Sequence, residues 1–175
     1  NLLTEVLDER SNLRLRLGQI DGAIIDLVRV HALEPDLAKT LRLGDLYERR
    51  GAHSHAATVY RQGMKSGLDS SLLVIARIRS ETASGGFDIA MKLVDERLLE
   101  ASLKAPWYQR RAVIHRARGN EAKAIADLKK ALKELDGIFK RRPVPIHQVT
   151  RARILRLLGR TEEAREQLEE VLRKS

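Results

Sequence analysis

The sequence predicts an all-α fold, a right-handed α-solenoid of five helix–turn–helix hairpins, on three observations. A glycine followed five residues later by alanine recurs as Gly18/Ala23, Gly51/Ala56, Gly85/Ala90, Gly119/Ala124 and Gly159/Ala164, with glycine spacings of 33, 34, 34 and 40. Four residues beyond each alanine stands Leu27, Tyr60, Val94, Leu128 or Leu168, and four further on His31, Met64, Leu98, Leu132 or Leu172. That is one apolar helical stripe, repeated five times and broken only at His31. Aromatic residues are also scarce (Tyr47, Tyr60, Phe87, Trp107, Tyr108 and Phe139), so the core is built from Leu, Ile, Val and Ala packed as small knobs.

Each element follows from that frame. Glycine ends the first helix of a pair because it takes the left-handed conformation without steric cost. Alanine lets the second helix lie close, and the larger residue one turn later fills the gap between hairpins. The expected helices are 2–16, 20–33, 36–49, 53–66, 69–83, 87–101, 105–117, 121–139, 144–158 and 161–174. Asp36 and Asp69 stand at helix starts, and Thr161 with Glu163 reads as a cap. The third hairpin departs most, with Arg77, Ile78 and Glu81 on its first helix. Before the last hairpin the spacing lengthens by six residues, through Asp136–Gly137 and "KRRPVP" (140–145), where two prolines predict a rigid connector. "ALKELDGIFK" keeps helical spacing, so that excess also reads as an extension of the eighth helix. The chain divides as a single array with repeats at 2–35, 36–68, 69–102, 105–138 and 144–175 and a connector at 139–143.

At these residues the chain resembles the tetratricopeptide repeat family, whose unit is a helix–turn–helix. The matching stretches are "LGDLYERRGAHSHAATVYRQGM" (43–64), "WYQRRAVIHRARGNEAKAIADLKKAL" (107–132) and "LRLLGRTEEAREQLEEVL" (155–172). Leu43, Gly44 and Tyr47 fall on the family's Leu-Gly and Tyr positions, and Pro35 on the proline that closes one repeat. The resemblance implies a non-catalytic scaffold or adaptor, in which the first helix of each hairpin lines a groove for a peptide or partner segment. The groove stripe falls thirteen, ten, six and three residues before each turn glycine, one face of a helix. It contains Glu5, Asp8, Asn12 and Leu15, then Ala38, Leu41, Asp45 and Glu48, then Leu72, Ile75, Arg79 and Thr82. It ends with Pro106, Gln109, Val113 and Arg116, then Ile146, Val149, Arg153 and Arg156. Four acids precede four arginines, with apolar residues between, so the expected partner has an acidic end and an apolar middle. Arginine suits such an end because its planar fork grips an oxyanion with two hydrogen bonds. The terminal-carboxylate clamp of chaperone-binding members is not carried over, because Asp8 replaces its first lysine.

Charge and composition narrow the classes further. The 175 residues are 43% hydrophobic and 33% charged, with a net charge of +9. Residues 1–104 carry 15 basic and 15 acidic side chains and residues 105–175 carry 18 and 9, so the whole excess lies in the last part of the chain. Such an end attracts acidic proteins, nucleic acid or anionic surfaces. For nucleic acid, "KRR" (140–142) with Arg110, Arg111, Arg116 and Arg118 makes a phosphate stripe, though stacking aromatics are few. Absent cysteine excludes disulfides and thiol chemistry and fits a cytosolic, periplasmic or secreted protein. The first residue is Asn1, so the sequence reads as an excised domain or a processed or trimmed chain, from which any targeting segment is absent. His53 and His55 are two apart, not four, which reads as a polar helix start and not a metal pair, while His31 and His115 read as packing residues. No nucleophile, base and pocket combine, so neither catalysis, metal nor cofactor is expected. Homo-oligomerisation stays open, because Val171 and Leu172 would face outward from the last hairpin.

Overall fold

The computed structural model describes residues 2–68, 70–139 and 144–173, of which Phe139 and Pro145 are described by backbone alone. The expectations at Asp69 and at "KRRP" (140–143) lie outside these residues. Within them the secondary structure is ten α-helices and no strand. These are α1 (Leu2–Arg16), α2 (Ile20–Leu33), α3 (Leu37–Arg49), α4 (His53–Lys65) and α5 (Ser71–Ala83). There follow α6 (Phe87–Glu100), α7 (Ala105–Ala117), α8 (Glu121–Phe139), α9 (Pro145–Leu157) and α10 (Thr161–Arg173). Two compact units result, Asn1–Ala90 and Met91–Ser175, with the boundary inside α6.

Turn chemistry explains the hairpins. Gly51 has φ +70°, the amide of Ala52 reaches back to the Tyr47 carbonyl at 2.8 Å, and that of Gly51 to Glu48 at 2.9 Å. Gly119 (φ +79°) repeats the arrangement, with Asn120 bonded to the His115 carbonyl at 2.7 Å. The last carbonyls of the first helix are thereby satisfied, and a residue with a Cβ would resist that φ. Asp36 caps α3, its carboxylate accepting from the Lys39 amide at 2.7 Å. The cap of α5 is Ser70, which accepts from the Leu72 amide at 3.2 Å. Thr161 is not a cap but the first helical residue of α10.

Packing repeats with the sequence. In the first unit α2 lies on α3, α3 on α4, and α5 on both. Leu27, Leu43, Leu46 and Val59 form one buried cluster, and Ala56, Tyr60, Leu73 and Ala76 another. In the second unit α8 packs on α7 and α9, and α10 on α9, around Leu128, Leu132, Leu135, Ile154 and Leu155. All five repeat alanines are buried. The apolar stripe behind them is buried through Leu27, Tyr60, Val94 and Leu128, and then surfaces: Leu168 is 40% and Leu172 77% exposed. The extra length before the last hairpin is helix: α8 runs on through Gly137, and Asp136 in the added turn accepts from Arg151 of α9 at 2.7 Å. In the divergent third hairpin, Arg77 and Glu81 pair with each other along α5, both largely buried.

Gly44 shows how close the helices approach. A Cβ there would overlap the ring of Tyr60, a side chain only 1% exposed. Burial beside the Glu48 carboxylate also pushes the Tyr60 phenol up to about 12. Gly44→Ala should therefore lower stability by about 1–3 kcal/mol through overpacking, read as a lower urea midpoint. Adding Tyr60→Leu should recover part of that loss, a coupling that a purely local propensity effect would not show.

Candidate functional site

The arginines of the chain sort into those held by its own acceptors and those left without one, and that division defines the site. One set of holders recurs at fixed register, eight residues before the turn glycine to eight after it. Arg10 of α1 grips Asp26 of α2 with two hydrogen bonds, at 2.9 and 2.6 Å, and Arg14 adds a third at 2.7 Å. Arg111 of α7 grips Asp127 of α8 in the same way, at 2.7 and 2.8 Å, and also reaches Asp95 at 2.7 Å. In the last hairpin Arg151 donates to Gln167 at 2.6 Å. The second hairpin fills the same two positions with the buried pair Leu43 and Val59. The Arg10 hydrogen bond holds the Asp26 carboxyl below its ordinary range, although burial opposes it. These latches are structural. Their sequence signal, Arg and Asp equidistant from the glycine, escapes a reading that follows apolar residues.

On the predicted groove stripe of the first unit most charge is already spent. Asp8 pairs with Arg42 of α3, which also donates to the Asn12 amide oxygen at 2.8 Å. Asp45 pairs along its own helix with Arg49 at 2.7 Å. Glu48 takes both Arg79 and the Ser80 hydroxyl from α5. Glu5 is exposed, Leu41 and Ile75 are half-buried, and Leu72 is exposed. The contrast of four acids against four arginines is therefore reduced, because neighbouring helices neutralise Asp8, Asp45, Glu48 and Arg79.

The second unit differs. Arg116 is held, donating to Glu121 at 2.7 Å and to the Leu157 carbonyl at 2.6 Å, so that it ties α7 to the end of α9. Arg153 and Arg156 of α9 are exposed and have no carboxylate partner among the described residues. Val113 and Ile146 stand exposed on the same predicted stripe, with Gln109 and Val149 half-buried. Arg110 was not on that stripe. It is half-buried on α7, lies over the Trp107 ring at 5.1 Å and gives one hydrogen bond to the Pro106 carbonyl at 2.8 Å. Burial first, and then the charge of Arg153, push its guanidinium below the ordinary arginine value. A cleft of about 510 Å³ is lined by Arg116 and Glu121, by Lys129, Arg156 and Arg160, and by Ile125 and Leu132.

The histidines are packing groups. His31 is buried against Thr40 at 3.3 Å, and burial lowers its pKa from the ordinary 6.5. His115 lies 3.8 Å from Asp127, and burial lowers it too. His53 opens α4, and His55 stacks on Tyr47 with centroids 5.3 Å apart.

Short hairpins that bury their apolar faces on neighbouring helices within each unit define an all-α helical-repeat solenoid, the class of fold that serves as protein-interaction scaffold. Residues 105–134, which span the fourth hairpin, match the tetratricopeptide repeat model. The chain shares its fold with MamA (41-end) from Desulfovibrio magneticus RS-1, at TM-score 0.60 and 14% identity over 99% of this chain and 95% of that one. It is similar to a tetratricopeptide repeat protein from Parabacteroides merdae ATCC 43184, at TM-score 0.58 and 17% identity over 100% and 81%. A further MamA structure gives 0.60 and 18% over 98% and 91%. No curated protein matches in sequence. Among the described residues, no helix is long and apolar enough to cross a membrane.

The division of the arginines has a direct consequence for stability. Asp127→Ala removes the two-pronged acceptor of Arg111 and leaves it Asp95 alone, which should cost about 2 kcal/mol, whereas Arg153→Gln should change stability by less than about 0.5 kcal/mol. Chemical denaturation of the two variants beside the parent chain checks both.

Proposed function

We propose that the chain is a non-catalytic protein-interaction scaffold that holds a segment of a protein partner against the first-helix faces of its hairpins. In the second unit this face is formed by α7 and α9. The partner segment is apolar in its middle and acidic at the end that meets Arg153 and Arg156. One observation carries the reading: Val113 and Ile146 lie exposed on the same stripes as two arginines that no carboxylate among the described residues takes up. Apolar contact supplies affinity there, while the guanidinium forks supply orientation and steering. Gln109 and Val149 border the same surface. In the first unit, Leu41, Ile75 and Leu72 offer apolar contact, Glu5 retains an unspent charge, and Asp8, Asn12, Asp45, Glu48 and Arg79 hold one helix to the next.

Two fluorescent peptides with the same apolar centre, one ending in Asp-Glu and one in Lys-Arg, test the reading by polarisation at low salt. The acidic peptide should bind more tightly, and the double variant Arg153→Glu/Arg156→Glu should weaken it by at least about tenfold. Val113→Asp should weaken both peptides. Equal binding of the two peptides, or no effect of the reversal, would count against the proposal.

A further inference from the structure

Among the described residues of the second unit, Arg110 is a half-buried charge that no carboxylate meets. Arg42 occupies the same register of its own hairpin, nine residues before the turn glycine, and is met by the Asp8 carboxylate and the Asn12 amide. Arg110 has neither. Its neighbour in charge is Arg153, a second cation, and its guanidinium is half-buried with one donor spent on the Pro106 carbonyl. Taking a guanidinium out of water next to another cation is costly unless an anion compensates. The other arginines that lie on or beside the stripe and bridge helices, Arg42, Arg79 and Arg116, all have such compensation.

Asp26 shows how two guanidiniums of this fold share one oxyanion, with Arg10 and Arg14 closing on its two oxygens. At Arg110 and Arg153 the oxyanion is missing, and no acidic residue stands on the stripes of α7 or α9 to supply it. Arg156, one turn beyond Arg153, adds a third cation without a carboxylate partner. A single carboxylate would leave two of the three charges uncompensated. A phosphoryl group brings close to two negative charges and three acceptor oxygens, which suit guanidinium forks on two helices that Arg116 ties side by side. The ring of Trp107 and the Pro106 carbonyl hold Arg110 in place, so little freedom is lost on binding.

We propose that Arg110 and Arg153, with Arg156 beside them, form a binding site for a phosphoryl dianion, presented as a phosphorylated side chain of the partner segment. The site rests on the reading of α7 and α9 as the docking face, and it refines what the partner's acidic end is. The binding involves hydrogen bonds and charge alone, with no bond made or broken.

Trp107 is the chain's only tryptophan and lies under the Arg110 guanidinium, so its fluorescence reports on the site. The full chain is titrated at constant ionic strength with inorganic phosphate, with N-acetyl-phosphoserine amide, and with acetate. Both phosphoryl probes should change the Trp107 emission with saturation, and acetate should bind at least about tenfold more weakly. Tighter binding of the phosphoserine amide than of phosphate supports a modified side chain as the source, and the reverse order overturns that source in favour of free phosphate. Arg153→Gln, an exposed change, should weaken phosphoryl binding by about tenfold or more. Arg110→Gln should abolish it, while raising the melting temperature of the ligand-free chain because an uncompensated charge is removed. No saturable signal, equal binding of acetate, or an unaffected Arg153→Gln variant would overturn the proposal. These small probes need no peptide, so failure here leaves the peptide test standing, and failure of the peptide test leaves this one standing.

Discussion

Everything in this chain depends on how closely the two helices of a hairpin can cross. At the crossing stands an alanine, Ala23, Ala56, Ala90, Ala124 or Ala164, and each is buried. A larger side chain would push the helices apart and withdraw the residue one turn later from its place against the neighbouring hairpin. The turn glycine five residues earlier serves the same end, because its positive φ lets the chain reverse tightly enough for that crossing. Gly44 under the Tyr60 ring extends the rule, a gap in one helix filled by an aromatic from the next. With so few aromatic residues, spacing set by small side chains is what allows a core of Leu, Ile, Val and Ala to close.

Charge is handled with the same economy. Arginines that bridge helices are met by acceptors, and the latches Arg10–Asp26 and Arg111–Asp127 place the two at matching distances on either side of the turn. Arg42 and Arg79 link first helices of successive hairpins, and Arg116 ties α7 to the last turn of α9. Such pairs fix the register of one helix on the next more than they add stability. Arg110, Arg153 and Arg156 break the pattern, on a face that also leaves Val113 and Ile146 in water. Departures from an otherwise consistent rule are where function is to be sought.

The fold was largely legible in the sequence, because glycine and alanine have a narrow range of structural uses and here recur at nearly constant spacing. The helix ends fall within two residues of expectation wherever they are described. Caps were less legible: Ser70 caps α5, and Thr161 is the first helical residue of α10 and not its cap, since which polar side chain turns back to the backbone depends on one or two dihedral angles. The site was legible only in part. Periodicity placed Arg79, Arg116, Arg153 and Arg156 on one stripe, but it could not tell which are neutralised. Glu48 and Arg79 are 31 residues apart in sequence, and long side chains from adjacent helices meet only once the stack exists. Arg110 fell one residue outside the stripe, yet burial and the charge of Arg153 hold its guanidinium below the ordinary arginine value.

The central claim is that arginines held by the chain's own carboxylates build the scaffold, and arginines of the α7 and α9 face left without one bind the partner. Side-chain NMR of the protein with 15N-labelled arginine, recorded as the acidic-ended peptide is added, addresses it residue by residue. The account predicts that the Nε–H resonances of Arg110, Arg153 and Arg156 shift with saturation, while those of Arg10, Arg79, Arg111 and Arg116 stay in place. Shifts at the held arginines with none at Arg110 and Arg153 would contradict it.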